Sequence, residues 1–269
     1  MSMPRLDFVL ILHIGKIISI FLLVLWFLTG VYGLTKQIPE GVNYQSKVYQ
    51  VAEDDVSFLY DVTYVNEKGI RVAEQHIFDE IFDMIEGAQN YILLDMFLYN
   101  EFKGSINEQH RNLSSELTTT LIDKKNEVQS IEIVVITDPI NEVYGGHGRT
   151  QLDDLRDAGI QVIVTDLEQL RDSNFLYSGL YNVFFQWFGN GKGGLMPHPF
   201  VVGERVSLRT YLKLLNFKAN HRKVIMTDDG SDFVSLVTSA NPHDGSSAHT
   251  NVAVKLRIVF SKMFSKPKV

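Results

Sequence analysis

Ile17 to Leu34 reads IISIFLLVLWFLTGVYGL, a run of 18 residues without a charge. A helix needs roughly 20 mainly apolar residues to cross a bilayer, so this run is long enough to do so. Phe8 to Ile14 upstream is also apolar, apart from His13. A cleaved leader with a cut near Val31 and Gly33 would have an unusually long apolar region. The reading is therefore an uncleaved anchor in residues 1–36, with Trp26 and Tyr32 placed for an interface. Arg5 and Lys16 precede the uncharged run and Lys36 follows it. This small bias favours a cytoplasmic N-terminus and a folded domain on the other side.

Residues 37–50 contain Pro39 and Gly41 and read as a linker to one domain in residues 51–269. Within that domain Glu74 to Gly87 carries Ile77, Ile81, Phe82 and Ile85 at helical spacing. Tyr91 to Tyr99 is a short apolar strand, and Ile131 to Thr137 is a β-branched one. Helices are expected over Ser114 to Val128, Gln151 to Ala158 and the aromatic stretch Phe175 to Phe188. Further strands are expected over Ile160 to Thr165, Lys223 to Thr227, Phe233 to Ser239 and Asn251 to Leu256. Strands alternating with helices indicate an α/β layered fold around a central sheet.

The net charge is −7. An acidic surface repels phosphate backbones, so nucleic acid is not the partner that bulk charge favours. There is no cysteine. That removes disulfides, thiolate metal sites and a cysteine nucleophile.

Asn220 to Asp228 reads NHRKVIMTD. His221 and Lys223 are two apart, so on a strand they leave from one face. An imidazole can attack phosphorus or move a proton, and an ammonium beside it can neutralise the non-bridging oxygens. Asp228 is out of phase with them and is expected at the turn Asp228-Asp229-Gly230, where a carboxylate can orient a histidine. Ser239 and Asn241 are again in phase with each other, and both can donate to phosphate oxygens.

The order His221-x-Lys223-x4-Asp228, then Thr238-Ser239-Ala240-Asn241, then Asn251, resembles the HKD motif of the phospholipase D superfamily. The closest likeness is to membrane-anchored bacterial members related to cardiolipin synthases. The resemblance spans roughly Val51 to Leu256. It implies an α/β/α sandwich with a central mixed sheet, a bacterial cell-membrane location and a phospholipid substrate. It implies that His221 is a phosphohistidine nucleophile or general acid. Lys223, Ser239 and Asn241 would bind phosphate, Asn251 would complete the site, and Asp228 would support the architecture and histidine basicity. No metal or organic cofactor is implied. Thr238 replaces the family's usual glycine, and the spacing from Asp228 to Ser239 is longer than usual. The family's enzymes use two such motifs and this sequence shows one, so a homodimer or a second motif-bearing half is the expected partner. The alternatives are a dimeric single-motif nuclease of the same superfamily and a catalytically silent half-domain.

Other signals are weaker. Arg205, Arg209 and Lys213 recur at helical spacing and form either an electropositive approach for anionic head groups or phosphate, or a solvated helix face. Gly189 to Gly194 lacks the full phosphate-loop pattern and reads as a loop. His147 follows a strand, in a loop that could border a site, although a surface histidine is the favoured reading. His198, His243 and His249 have no metal-ligand spacing and read as loop residues. Asp95 within an apolar strand either faces the cleft or is capped by a neighbour. The aromatics Phe175, Tyr177, Tyr181, Phe184, Phe185, Trp187 and Phe188 pack in the core or dip into a bilayer.

Overall fold

The structure is a computed structural model that describes residues 5–42, 44–48, 50–103, 111–187, 193–216, 218–230 and 232–258. Most of the Gly189–Gly194 loop, Phe188 and the basic tail after Ile258 lie outside these residues.

Its elements run in chain order as α1 (Arg5–Thr35), β1 (Val56–Val65), β2 (Arg71–Glu74), α2 (Ile77–Gly87), β3 (Tyr91–Met96), α3 (Leu113–Glu127), β4 (Glu132–Thr137) and α4 (Gln151–Asp157). They continue as β5 (Gln161–Val164), α5 (Phe175–Phe184), β6 (Met196–Pro197), β7 (Arg205–Val206), α6 (Leu208–Leu214), β8 (Lys223–Asp229), β9 (Asp232–Thr238) and β10 (Asn251–Ile258). Eight strands form one sheet in the order β2-β1-β10-β9-β8-β3-β4-β5. β3, β4 and β5 are parallel, and every other pair in this sheet is antiparallel. The sheet is therefore mixed, as expected, and an apolar helix precedes it.

The core lies between this sheet and α2, α3 and α4. Ile77, Phe78, Ile81, Met84 and Ile85 recur at helical spacing and are all buried on one face of α2. They meet Ile92, Leu94, Ile225, Leu236 and Ala253 from the same face of four strands. Each such side chain contributes about 1.5–3 kcal/mol by leaving water. Carboxylates from neighbouring segments satisfy two helix starts. Asp61 on β1 accepts from the backbone N–H groups of His76 and Ile77, and Asp244 accepts from that of Ser114. These caps cover amides that a helix cannot pair internally.

The opposite face of β1, β9 and β10 is open. Phe58 and Tyr60 on β1, Val237 on β9 and Val252 on β10 are each about half exposed or more. No described residue supplies a helical layer over these four side chains. Strand β1 was not foreseen from the sequence, although its alternating and β-branched residues suit the edge of such a sheet.

Helix α1 contains the whole uncharged run. Ile17, Ile20 and Phe21 are more than 60% exposed, so α1 is not a core helix. It is the one described helix long and apolar enough to cross a membrane. Its C-terminal part packs along α5.

Candidate active site

Three neighbouring strands end at one edge of the sheet. β8 begins at Lys223, β9 ends at Thr238 and β10 begins at Asn251. The pairings Val224↔Val237 and Thr238↔Ala253 bring these ends side by side. The C-terminal ends of β3 and β4 lie on the same edge, with Met96 paired to both Lys223 and Thr137. His221, Lys223, Ser239, Asn241 and Asn251 thus gather at the edge that also carries the loops after β3 and β4.

His221 is exposed and Lys223 is 7% exposed. The Lys223 Nζ lies 3.3 Å from Nδ1 and 3.2 Å from Nε2 of His221. Phe97 packs against both groups. Its ring is 4.7 Å from the imidazole, and the ammonium lies 5.1 Å from its centroid. Partial burial, and then the ammonium of Lys223, hold His221 below the usual histidine value of 6.5. Burial also lowers the lysine. At neutral pH the imidazole is therefore uncharged, the form that can attack phosphorus.

The backbone around His221 is held from both sides. Asp95, which is buried on β3, accepts from Asn220 Nδ2 at 2.7 Å and pairs with Arg222 Nη1 at 3.3 Å. Asp138 Oδ2 accepts from the Asn220 backbone N–H at 2.7 Å. Asp138 is fully buried, and burial raises it above the ordinary carboxyl value although two backbone N–H groups pull the other way. Asn141 ties the loop after β4 to the loop after β3, accepting from Tyr99 N–H and donating to Phe97 O. Asp95, Asp138, Asn141 and Asn220 thus position the motif without belonging to it. Only Asp95 was marked by the sequence, as a charge inside an apolar strand.

The expected phosphate-binding residues fall into two groups. Ser239 Oγ donates to Asn251 Oδ1 at 2.9 Å and accepts from Val252 N–H. Asn241 Oδ1 accepts from the Leu98 N–H, next to the Phe97 that packs on His221. Ser239 is exposed, and Asn241 and Asn251 are half-buried.

Asp228 requires a correction. It lies five residues along β8 from Lys223, about 17 Å at the usual strand rise. Its carboxylate accepts from the backbone N–H groups of Gln89, Asn90 and Tyr91 and from Asn90 Nδ2. Asp228 therefore fastens the turn between α2 and β3 and does not orient His221. Among the described residues no carboxylate is hydrogen-bonded to His221.

The basic stripe is corrected as well. Arg205 is on β7 rather than on α6, and it donates to Gly194 O and Leu195 O. Arg209 donates to Gln186 O, and Lys213 pairs with Glu168. These cations are engaged within the chain. His198 is a loop residue, as expected, and His147 also lies in a loop. His147 and His198 are distant in sequence, yet their rings stand 5.0 Å apart beside Glu204. Two backbone N–H groups, of Phe200 and Val201, point at His198 Nδ1. The lone pair therefore sits on Nδ1 and the proton on Nε2, so the ring offers a donor rather than a metal ligand.

No known family model matches the sequence, and no curated protein matches it. The fold is similar to several solved structures. One is Nuc from Salmonella typhimurium, described as a phospholipase D family member, at 11% identity and a TM-score of 0.33, covering 77% of this chain and 86% of that one. Another is NucT from Helicobacter pylori, at 12% identity and a TM-score of 0.32, covering 77% and 89%. A third is the phosphatidylserine synthase of Haemophilus influenzae, at 12% identity and a TM-score of 0.36, covering 77% of this chain and 34% of the other. These are phospholipase D superfamily members. The chain described here has a mixed α/β architecture around its central sheet.

The electrostatic coupling at the site is directly measurable. Lys223→Met removes the ammonium and keeps the buried stem, so the His221 value should rise toward 6.5. A histidine titration followed by NMR checks this, and an unchanged midpoint would show that Lys223 does not tune the imidazole.

Proposed function

We propose that the chain processes phosphodiesters at a membrane by a phospholipase D-type reaction, either hydrolysis of a phospholipid or phosphatidyl transfer as in cardiolipin synthases. The observation that carries this reading is the exposed, uncharged His221 with the Lys223 ammonium 3.2 Å from its Nε2. An imidazole nitrogen of His221 attacks the phosphorus, and the P–N bond forms as the P–O bond to the leaving alcohol breaks. Water or an acceptor alcohol then attacks the phosphohistidine and restores the imidazole. Lys223 holds the non-bridging oxygens as charge builds on them. Ser239, Asn241 and Asn251 offer further hydroxyl and amide donors at the same sheet edge. Asp228 acts at a distance, by keeping β8 and β3 together.

The departing alkoxide needs a proton, and restoring His221 needs a base. A second copy of the chain, or another motif-bearing half, supplies that group in this reading. The apolar run of α1 anchors the domain and makes phospholipid the favoured substrate over nucleic acid.

The test is full-length protein in detergent with radiolabelled phosphatidylglycerol and, separately, plasmid DNA. Lipid turnover without nicking is expected, and the active species should sediment as a dimer. Nicking without lipid turnover would transfer the reading to a nuclease. Turnover by a strict monomer would overturn the two-half site.

A further inference from the structure

Helix α5 has three faces, and two of them are occupied. Gly179 and Phe175 face α1. A Cβ at Gly179 would lie 2.8 Å from Trp26 O, and one at Gly30 would lie 2.7 Å from the Phe175 ring. The Trp26 indole donates to Leu176 O at 2.8 Å, and the Phe27 and Phe175 rings meet edge-on at 5.6 Å. Small residues on both helices thus allow close backbone approach, as in packed membrane helices. Tyr177, Ser178 and Tyr181 face the domain. Ser178 Oγ donates to Asn216 Oδ1 at 2.6 Å, and Tyr177 donates to Leu212 O.

The third face has no partner among the described residues. Leu176 and Leu180 are 60% and 40% exposed, and Phe184 is 38% exposed. Spaced by four, they share one side of the helix. Trp187, in the turn that follows, continues it at 75% exposure. No charged residue occurs between Asp172 and Lys192. A water-facing helix surface would ordinarily carry charge opposite its buried face.

Depth decides what this face meets. The 18 uncharged residues of α1 rise about 27 Å at 1.5 Å per residue, close to the thickness of a hydrocarbon core. Helix α5 lies beside Trp26 to Gly30 in the C-terminal half of that run, and Asp172, ahead of α5, lies against Gly33. Charged residues therefore cluster at the C-terminal end of the run. Lys36 donates to Glu168 O, Arg171 donates to Lys36 O, and Lys218 pairs with Asp172 at 2.5 Å. Ions therefore line the Thr35 end of this pair of helices, and Arg209 meets the other end of α5 at Gln186 O.

We infer that α5 is a second bilayer-embedded element, lying in the leaflet at the C-terminal end of α1 with Leu176, Leu180, Phe184 and Trp187 against phospholipid acyl chains. This rests on the reading of α1 as a membrane span. As a helix, α5 pairs its own backbone groups and can enter lipid without exposing them. The consequence reaches the site. Ser178 holds Asn216 and Asp172 holds Lys218, and both lie just ahead of Asn220 and His221. An embedded α5 sets His221 at the level of the lipid phosphodiesters.

The chain has no cysteine, so single labels can be placed without background. Full-length Phe21→Cys, Leu180→Cys and Asp123→Cys are each spin-labelled in phosphatidylcholine–phosphatidylglycerol vesicles. Accessibility to oxygen and to an aqueous nickel chelate is then compared. All three positions are exposed on α1, α5 and α3 respectively. The Leu180 label should match Phe21, favouring oxygen over the chelate severalfold more than Asp123 does. A lipid-like Phe21 with a water-like Leu180 overturns the inference while leaving the anchor intact. A water-like Phe21 removes the anchor and α5 insertion with it.

Discussion

Replacing His221 by alanine is expected to remove phosphodiester turnover, lowering kcat by about a thousandfold or more, as loss of a nucleophile does. The side chain is exposed, and its polar contact within the chain is with Lys223. Its removal should leave the thermal midpoint almost unchanged. The two measurements together separate a chemical effect from a folding one. Lys223→Ala should cost less, about a hundredfold, because it removes charge stabilisation and leaves the attacking atom in place. Rapid quench into alkaline detergent, in which a phosphohistidine P–N bond survives, should trap labelled phosphate on the wild-type chain and none on His221→Ala. The acid limb of the wild-type rate profile should lie below pH 6.5, since burial and Lys223 lower the imidazole. Turnover that survives His221→Ala would sink the mechanism.

The reactive pair was legible because a strand repeats every two residues. His221 and Lys223 share a face on that rule alone, whatever β8 pairs with. The same period placed Asp228 on the other face and so gave a first sign that it belongs elsewhere. What Asp228 binds was not legible, because Gln89 to Tyr91 reach it only through the pairing of β8 with β3. Asp95 illustrates the same limit. A carboxylate in an apolar strand is visible in sequence, but its partners Asn220 and Arg222 lie more than a hundred positions away. The helices of the core were legible from apolar spacing, as in α2. The basic series Arg205, Arg209 and Lys213 misled for the converse reason. Its helical spacing is real, but β7 and the turn at Ser207 break the helix that would have aligned it.

Asp228→Ala should destabilise the fold by about 1–3 kcal/mol, since it takes the charged acceptor away from three part-buried backbone donors. The carboxylate is 5% exposed. Burial alone would raise its value, but the bonds from Asn90, Tyr91 and Gln89 outweigh burial and hold it below the ordinary 3.8. A depressed carboxyl contributes stability that is complete above its unfolded value and is lost as pH falls through its folded value. The gap in unfolding free energy between wild type and Asp228→Asn should therefore be flat from neutral pH down to about pH 5. It should then narrow below the unfolded value near 3.9. Asparagine keeps an acceptor oxygen for the amides of Gln89, Asn90 and Tyr91, so it isolates the charge from the hydrogen bonds. Urea melts across this range measure the gap. If it stayed constant to the acid limit, the bonds from the turn would not be depressing the carboxyl. If Asp228→Ala abolished turnover with no loss of stability, the aspartate would belong to the chemistry after all. The geometry argues otherwise, because the 17 Å or so of strand between Asp228 and Lys223 is too long for any direct contact with the reacting phosphate.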